Sequence, residues 1–334
     1  MTRVPLSILD LAIVGRDETV QETLEGCVTL ARRAEELGYS RIWYAEHHNS
    51  ETIASSAPAV LIAHVAARTS TIRLGAGGVM LPNHSPLTIA EQFGMLETLH
   101  PGRIDLGLGR APGTDQAAIG AMRRDPMASD HFAEDVLELR AYLGEVSRVR
   151  DVVAMPGRGT NVPLYILGSS LYGAQLAALL GLPFAFASHF APQMLHQALR
   201  IYKERFTPSE TLAEPYAMAA ISVIAADTAE SAHEQFQRRR RAFVRHRLGK
   251  RPDRQWTDEE IDGFLRGPQA HHIDEIFTHA AIGTVDTVVP MVEEFRAATG
   301  VDEIITAHHA ENTASRVRSI ELLADAWFRV PAAR

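Results

Sequence analysis

Short apolar segments alternate with longer amphipathic segments along most of the chain. Each apolar segment has the length of a buried β-strand, and in the longer segments apolar residues recur near the roughly 3.6-residue period of an α-helix. The segment 217–226 is almost entirely apolar, as expected for a strand of a parallel sheet that is covered on both faces. The predicted strands are residues 4–11, 41–45, 71–81, 104–109, 164–167, 184–187, 217–226 and 303–307.

These eight strands, each followed by a helix, predict a protein of the α/β class whose parallel sheet has right-handed crossovers. Such a sheet can close into a (β/α)8 TIM barrel, and this is the fold that we expect. An open, doubly wound sheet produces the same alternation, so periodicity alone leaves that alternative open.

Several local signals predict where helices begin and end. Thr19 and Glu22 have the spacing of a capping box, and Gly38 lies where a left-handed residue would end the helix that they begin. Ser85 followed by Pro86 predicts the start of another helix, because proline is favoured in the first turn.

One polar, helical and basic segment, residues 227–281, interrupts the alternation. We expect residues 1–334 to form a single barrel domain that carries this segment as an insertion between the seventh and eighth strands. A solvated helix face is the simpler interpretation of its arginine run. A lid or a subunit contact is the functional interpretation, because insertions in barrels lie in the loops that form the site. The run consists of Arg238, Arg239, Arg240 and Arg241.

Composition narrows the class of protein. The net charge of −8 argues against nucleic acid, which a protein binds by neutralising phosphates with Lys and Arg. Cys27 is the single cysteine and falls in an apolar helical stripe, which predicts a packed core residue and no internal disulfide. No apolar run approaches the roughly 20 residues that span a bilayer, and no signal peptide is apparent. We therefore expect a cytoplasmic protein without a membrane partner.

Polar, small and imidazole residues gather at the carboxyl ends of the predicted strands, where the active site of a barrel lies. In chain order these ends supply Asp10, Glu46-His47-His48, Gly75 with Gly77 and Gly78, Gly107-Leu108-Gly109-Arg110, Gly168-Ser169-Ser170 and Ser188-His189.

The Glu-His-His run at 46–48 offers one candidate for acid–base chemistry. Adjacent residues of an extended segment point to opposite sides, so at most one of His47 and His48 faces the barrel axis. The spacing is not that of a His-Glu-x-x-His zinc helix, so we predict no metal site. Two interpretations of the histidine remain. It is either a structural residue bonded to the backbone, or a functional residue that acts as a general acid or base or contacts a flavin.

The glycine clusters do not fit a nicotinamide fingerprint. Gly-x-Gly-x-x-Gly would need glycine where one cluster has Met80 and the other has Pro112. Consecutive glycines such as Gly77 and Gly78 suit a planar ligand that touches the backbone, and equally a bulge.

Arg110 and the following strand end offer a candidate anion site. An always-charged guanidinium at the site face needs an anionic partner, which is either a phosphate or a structural carboxylate. Ser169 and Ser170 precede a helix, where their amides and hydroxyls would contact an anion or form an ordinary N-cap. Because Arg110 and the serines end consecutive strands, we expect that they could hold one phosphate together.

In their order and spacing, several segments resemble those of the luciferase-like monooxygenases, the family of bacterial luciferase and its relatives. The resemblance covers nearly the whole chain and is weakest in the basic insertion. Its segments are 43–48 (WYAEHH), 81–86 (LPNHSP), 102–110 (GRIDLGLGR), 166–170 (ILGSS), 282–284 (IGT) and 299–303 (TGVDE).

The resemblance implies a (β/α)8 barrel and assigns roles to particular residues. His47 matches the family's catalytic histidine, and Gly77 and Gly78 match a small pair under the isoalloxazine that some members join by a non-proline cis peptide. Arg110 matches the phosphate arginine. The amide and hydroxyl loop at the phosphate corresponds to Gly168, Ser169, Ser170 and Gly173. Barrels in general often bind phosphate in the loops after the seventh and eighth strands, so a phosphate near Gly283 and Thr284 stays a minor alternative.

The implied activity is that of a monooxygenase. Reduced FMN and molecular oxygen would oxygenate a small organic substrate, such as an aldehyde or another carbonyl compound, and NAD(P)H would reduce the FMN in place or through a separate flavin reductase. The family also suggests a homo-oligomer. Two departures are visible: Cys27 cannot be the reactive cysteine of the light-emitting subunit, and Ser169 replaces a glutamate that some members have. Light emission is therefore not implied.

Three other functions remain open from the sequence. A deazaflavin-dependent hydride-transfer oxidoreductase shares the fold, and a non-enzymatic flavin-binding protein would share the cofactor site. A hydrolase or aldolase barrel without flavin is disfavoured, because the strand ends carry neither paired carboxylates nor a Schiff-base lysine.

Overall fold

Parallel strands close into a barrel in a computed structural model that describes residues 3–146, 149, 151–249, 254–268 and 270–328. The described residues form β1 (Leu6–Asp10), β2 (Arg41–Tyr44), β3 (Arg73–Met80), β4 (Ile104–Gly109), β5 (Leu164–Gly168), β6 (Phe184–Phe186), β7 (Ala217–Ala225), β8 (Ala280–Gly283) and β9 (Glu303–His308). Strands β1 to β6 pair in sequence, β6 pairs with β7, β7 with β9 and β9 with β1. The eight-stranded TIM barrel is therefore confirmed, and the open sheet is excluded.

Strand β8 is a ninth strand that the sequence prediction missed. It pairs in parallel with residues 222–225, the part of β7 that extends beyond the pairing with β6. Residues 280 and 281 were assigned to the helical insertion, and this assignment is wrong for them. The strand directly follows the polar helical insertion, and its partner is the free edge of the long β7, a pairing that only the folded chain shows.

Helices surround the barrel, and the local signals place their ends correctly. The Thr19 and Glu22 capping box is formed, and Gly38 ends the helix with a φ of 89°. The described helices are α1 (Val20–Leu37), α2 (Pro58–Ala66), α3 (Pro86–Leu99), α4 (Gln116–Ala121), α5 (Phe132–Leu143), α6 (Leu171–Leu180), α7 (Leu195–Arg205), α8 (Ala229–Leu248), α9 (Asp258–Arg266), α10 (Ala270–Ile276), α11 (Val285–Thr299) and α12 (Thr313–Phe328). None of these helices has the length and apolar character that crossing a membrane requires.

Apolar side chains form separate cores on the two sides of the barrel wall. The main core lies between the strands and the surrounding helices, and it contains Cys27, which is buried as predicted. A smaller cluster that includes Trp43, Tyr165 and Met218 fills the barrel interior. The insertion has a third cluster of its own, in which Val244 of α8 packs with residues of α9 and α10.

A buried ion network closes the amino end of the barrel. Arg41 at the start of β2 donates from Nη1 to Asp105 of β4 at 2.8 Å and to the Tyr165 hydroxyl of β5 at 2.7 Å. Its Nη2 donates to Glu303 of β9 at 3.1 Å. Asp105 also accepts from Nε of Arg73 in β3 at 3.1 Å, so each buried carboxylate faces at least one guanidinium. Because the partners come from five strands, the network fixes the strands relative to one another.

We expect Arg41→Met to lower the free energy of unfolding by about 3–5 kcal/mol, because the substitution leaves Glu303 buried without a cation. Denaturant unfolding followed by circular dichroism measures this change. Arg33→Met is the control, because Arg33 pairs with Glu36 and Glu321 at the surface, where such pairs contribute about 0–1 kcal/mol. Equal effects of the two substitutions would contradict the role of the network.

Candidate active site

Asp10, at the end of β1, has a structural role. Its carboxylate accepts hydrogen bonds from the backbone amide of Ala12 and from Nη1 of Arg316, both at 2.9 Å. Arg316 lies in α12, and both side chains of this ion pair are almost completely buried. Asp10 therefore connects β1 to α12, and its carboxylate already pairs with the Arg316 guanidinium.

Glu46, at the end of β2, is also structural. Its buried carboxylate hydrogen-bonds to Nε2 of His48 at 2.8 Å and to Nε2 of His84 at 2.9 Å, and it accepts from the amide of Met80 at 3.1 Å. Burial alone would raise the pKa of Glu46, but the bonds from His48, His84 and Met80 outweigh burial and lower this pKa to about 2. Glu46 is therefore a fixed anion that holds the β2 and β3 ends together.

The two histidines of the run point to different surroundings, as the alternation of an extended segment requires. His48 is bonded to Glu46, and this hydrogen bond raises the pKa of His48. The backbone amide of His47 donates to the carbonyl of Ser55 at 3.1 Å, and its imidazole is close enough to His189 to lower the pKa of that residue. His47 is thus the one of the two histidines that lies near His189, which follows β6.

Two further histidines lie at the mouth, and only one of them was singled out from the sequence. His189 follows β6 and His309 follows β9; they are 8% and 6% exposed, and their rings stack with centroids 6.2 Å apart. Burial, with Arg239 and His47 nearby, lowers the pKa of His189 to about 3, and burial likewise lowers that of His309. Both imidazoles are neutral at pH 7. His309 would have been found by reading the last strand end in the same way as the first six.

The arginine run of the insertion lies on α8, and its members differ in their surroundings. Arg238, Arg240 and Arg241 form ion pairs with carboxylates, in agreement with a solvated helix face. Arg239 instead turns toward His189 and His309, and burial lowers its pKa to about 10. The sequence did not single out Arg239, because a run of four arginines does not show which member turns toward the histidines.

The predicted anion site is assembled at the ends of β4 and β5. Arg110 is exposed, and its guanidinium carbon lies 4.3 Å from the ring centroid of Tyr172 in the first turn of α6. Ser170 is the N-cap of α6, yet its hydroxyl makes no capping hydrogen bond. Ser169 and Ser170 are both exposed, so the structure brings the arginine, the serine pair and a helix N-terminus together.

The predicted glycines lie where a side chain would collide with the protein itself. A Cβ on Gly77 would lie 2.8 Å from Cβ of Trp43, and one on Gly78 would lie 2.8 Å from the carbonyl oxygen of Gly107. The peptide bond between Gly77 and Gly78 is cis. Gly168 and Gly173 contact each other where β5 meets α6, since a Cβ on Gly168 would lie 3.5 Å from Cα of Gly173. The absence of a side chain at these positions therefore allows neighbouring strands and α6 to pack closely, and Gly77 and Gly168 remain partly exposed.

A surface depression of about 340 Å³ lies beside this region, between His48, Asn49 and one face of α4. Its lining is mainly alanine and methionine, and it contains none of the predicted cofactor residues. The one imidazole that lines the depression, that of His48, is bonded to Glu46, whereas the mouth has two arginines without a carboxylate partner in the described structure and further imidazoles. We therefore take the mouth as the candidate active site.

A family model described as luciferase-like monooxygenase matches residues 5–303 of the chain. This protein belongs to the luciferase-like monooxygenase family. The match extends from β1 through the insertion to the start of β9, and it confirms the resemblance of the sequence segments to this family.

Relatives of this luciferase-like monooxygenase occur in bacteria. A luciferase-like monooxygenase of Escherichia coli (strain K12) is 45% identical over 323 residues, which are 96% of each chain. The N-acetyl-S-alkylcysteine monooxygenase of Bacillus subtilis (strain 168) is 33% identical over 331 residues, which are 97% of this chain and 98% of that protein.

Solved structures share the fold over nearly the full length. Apo-MsnO8 is 33% identical and has a TM-score of 0.87, with 99% of both chains covered. The FMN complex of a type II Baeyer–Villiger monooxygenase from Pseudomonas putida is 17% identical with a TM-score of 0.72, and 97% of each chain is covered. An F420-dependent secondary alcohol dehydrogenase is 15% identical, also has a TM-score of 0.72, and covers 98% of this chain and 99% of its own. The last two show a shared fold alone.

We expect Glu46→Gln to destabilise the luciferase-like monooxygenase by about 3 kcal/mol at pH 7, because the pKa of Glu46 falls from 4.5 to about 2 on folding. A lowered carboxylate pKa stabilises the fold above pH 4.5, and this stabilisation is lost as the pH falls toward 2. The difference in unfolding free energy between the wild type and the variant should therefore shrink over that interval.

Denaturant unfolding at pH 7, 5 and 3 measures the difference. Glu25→Gln is the matched control, because Glu25 is 56% exposed at its side chain and its loss should change stability by less than about 0.5 kcal/mol. A pH-independent difference for Glu46→Gln would show that the carboxylate charge is not what stabilises this strand end.

Proposed function

We propose that this protein binds FMN at the mouth of the barrel and uses reduced FMN and O2 to oxygenate a small organic substrate. The observation that carries the proposal is the surroundings of Arg110. Its guanidinium is exposed and pairs with no carboxylate among the described residues, yet the Tyr172 ring holds it beside the start of α6. An ordered cation without an anion fits a phosphate group of a ligand.

The neighbouring groups complete a phosphate site. Stacking on Tyr172 occupies one face of the Arg110 guanidinium and leaves its N–H edges for the oxygens of a phosphate. The hydroxyl of Ser170 is not used in capping α6, and the amides of the first turn point along the helix axis toward the same position. Ser169 and Ser170 would then donate to the phosphate oxygens that Arg110 does not reach.

The backbone at Gly77 suits the planar ring of the same ligand. Gly77 is partly exposed, and Trp43 and Leu9 occupy the space where its side chain would lie, so the other side of its backbone is left for a ring. The ring would thus rest on a rigid apolar support. This support also excludes water from its lower face, which favours reaction of the bound ligand over side reactions with solvent.

When bound, reduced FMN supplies the electrons with which O2 is activated. His47 lies near neutral His189, so its imidazole is placed to hold or transfer a proton at the reacting atoms. The FMN complex of the Pseudomonas putida enzyme supports this cofactor, and the Bacillus subtilis relative supports a small organic substrate. The F420-dependent dehydrogenase keeps deazaflavin hydride transfer as the second candidate.

We expect Arg110→Met to weaken FMN binding by about tenfold to a hundredfold, because the variant loses charge-assisted hydrogen bonds to the phosphate. Quenching of FMN fluorescence measures the dissociation constant. Arg205→Met should bind FMN as the wild type does, because Arg205 is exposed at the far end of α7. The same titration with F420 separates the two candidates: tighter binding of F420 than of FMN to the wild type would favour hydride transfer.

We expect His47→Ala to bind FMN within about twofold of the wild type and to lose coupled oxygenation by about a hundredfold or more, because it lacks the proton-transferring imidazole. Product yield per reduced FMN consumed measures coupling, with a flavin reductase, NAD(P)H and a panel of aldehydes, ketones and N-acetyl-S-methylcysteine. His271→Ala is the control, since the His271 side chain is 87% exposed. Wild-type yield from His47→Ala would contradict the assignment. Oxygen consumption by wild type without product from any panel compound would favour a flavin carrier.

A further inference from the structure

Arg239 differs from its three neighbours in the arginine run of α8 by lacking a carboxylate partner. Within the described parts of the chain, no ion pair or hydrogen bond to Arg239 is formed, and its Nε is buried without a protein partner. The three neighbours pair with Glu311 (Arg238), Asp274 (Arg240) and Asp262 (Arg241). Arg238 and Arg239 both lie on the barrel side of α8, since Glu311 belongs to the loop between β9 and α12, and of these two only Arg239 has no carboxylate partner among the described residues.

Arg239 faces a pair of imidazoles whose ring nitrogens also lack partners. Nδ1 of His189 and Nε2 of His309 are buried without a hydrogen bond, and the two rings stack 6.2 Å apart. Buried polar atoms in native proteins are almost always hydrogen-bonded. Three unsatisfied nitrogen atoms at one place, on a helix and on two strand ends, therefore indicate a binding site for a polar group from outside the chain.

This site is separate from the phosphate site around Arg110. His189 follows β6 and His309 follows β9, the two strands that flank β7 in the barrel. Arg110 and Ser170 follow β4 and β5, on the other side of β6. A cofactor whose phosphate lies at Arg110 therefore leaves the Arg239 site for a different molecule, and His47 at the end of β2 lies near this site.

We propose that Arg239, His189 and His309 bind a carboxylate of the substrate, so that the substrate is a small organic monoanion. This proposal rests on the proposed function, because it places the substrate beside a flavin and His47. The guanidinium would donate two hydrogen bonds to the carboxylate oxygens in a bidentate pair, and each neutral imidazole would donate one further hydrogen bond.

The charge of the site fits a monoanion. Burial lowers the pKa of Arg239 only to about 10, so the guanidinium stays protonated at pH 7. The lowered pKa values of His189 and His309 keep both rings uncharged at that pH. The net charge of the three side chains is therefore that of one guanidinium, which balances one carboxylate.

Binding of matched acids and esters tests the proposal. Isothermal titration of the FMN-loaded wild type and of the flavin-free protein compares butyrate, hexanoate and N-acetyl-S-methylcysteine with their methyl esters. We expect at least one acid to bind about tenfold to a hundredfold more tightly than its ester, because the ester lacks the charge. Arg239→Gln should abolish this preference. Arg238→Gln removes the same charge one position away on α8, and it should keep the preference.

FMN affinity measured in the same variants distinguishes the two proposals. Unchanged FMN affinity in Arg239→Gln, together with loss of the acid preference, supports a substrate site. Loss of FMN affinity in Arg239→Gln would overturn the assignment of a substrate site, because Arg239 would then contact the cofactor. Acids that bind the wild type no more tightly than their esters would also overturn it. Failure of the wild type to bind FMN would contradict the proposed function alone, because the acid preference is measured without flavin as well.

Discussion

The buried ion network around Arg41 sets the geometry on which the rest of the barrel depends. Charges inside a protein are stable only when their partners are positioned closely, so Arg41, Asp105 and Glu303 tolerate few relative positions of their strands. The apolar cluster above the network can shift without a large loss, whereas the ion pairs cannot. Fixing the amino ends of the strands in this way also fixes the residues at their carboxyl ends, where chemistry takes place.

The mouth of the barrel divides its polar residues into paired and unpaired groups. Asp10 and Glu46 are bonded on several sides and hold strand ends in place. Arg110 and Arg239 have positive charges without carboxylate partners in the described structure, and they lie over different strands. These two guanidiniums without carboxylate partners are the physical basis for the anion sites that we propose at this face.

Most of the barrel could be predicted from the sequence, because short apolar segments alternate with segments of helical period along most of the chain. Strand β8 could not, since it pairs with the part of β7 that extends beyond β6, and only the folded chain shows this extension. The positions of Arg110 and His47 followed from strand ends, which the sequence marks clearly. Arg239 could not be distinguished from its neighbours, because only the packing of α8 against the barrel decides which arginine turns inward.

Helix α8 has a consequence for how this enzyme could diversify. The helix packs with α9 and α10 around one apolar cluster, and its Ala232 and Phe236 pack against the ends of β7 and β8. Among the described residues of the insertion, Arg239 faces His189 and His309 and Arg238 pairs with Glu311 after β9, while the groups assigned to FMN lie in or after β3, β4 and β5. If the proposed substrate and FMN sites are correct, exchange of the insertion between relatives would alter which substrate is oxidised and leave the flavin site unchanged.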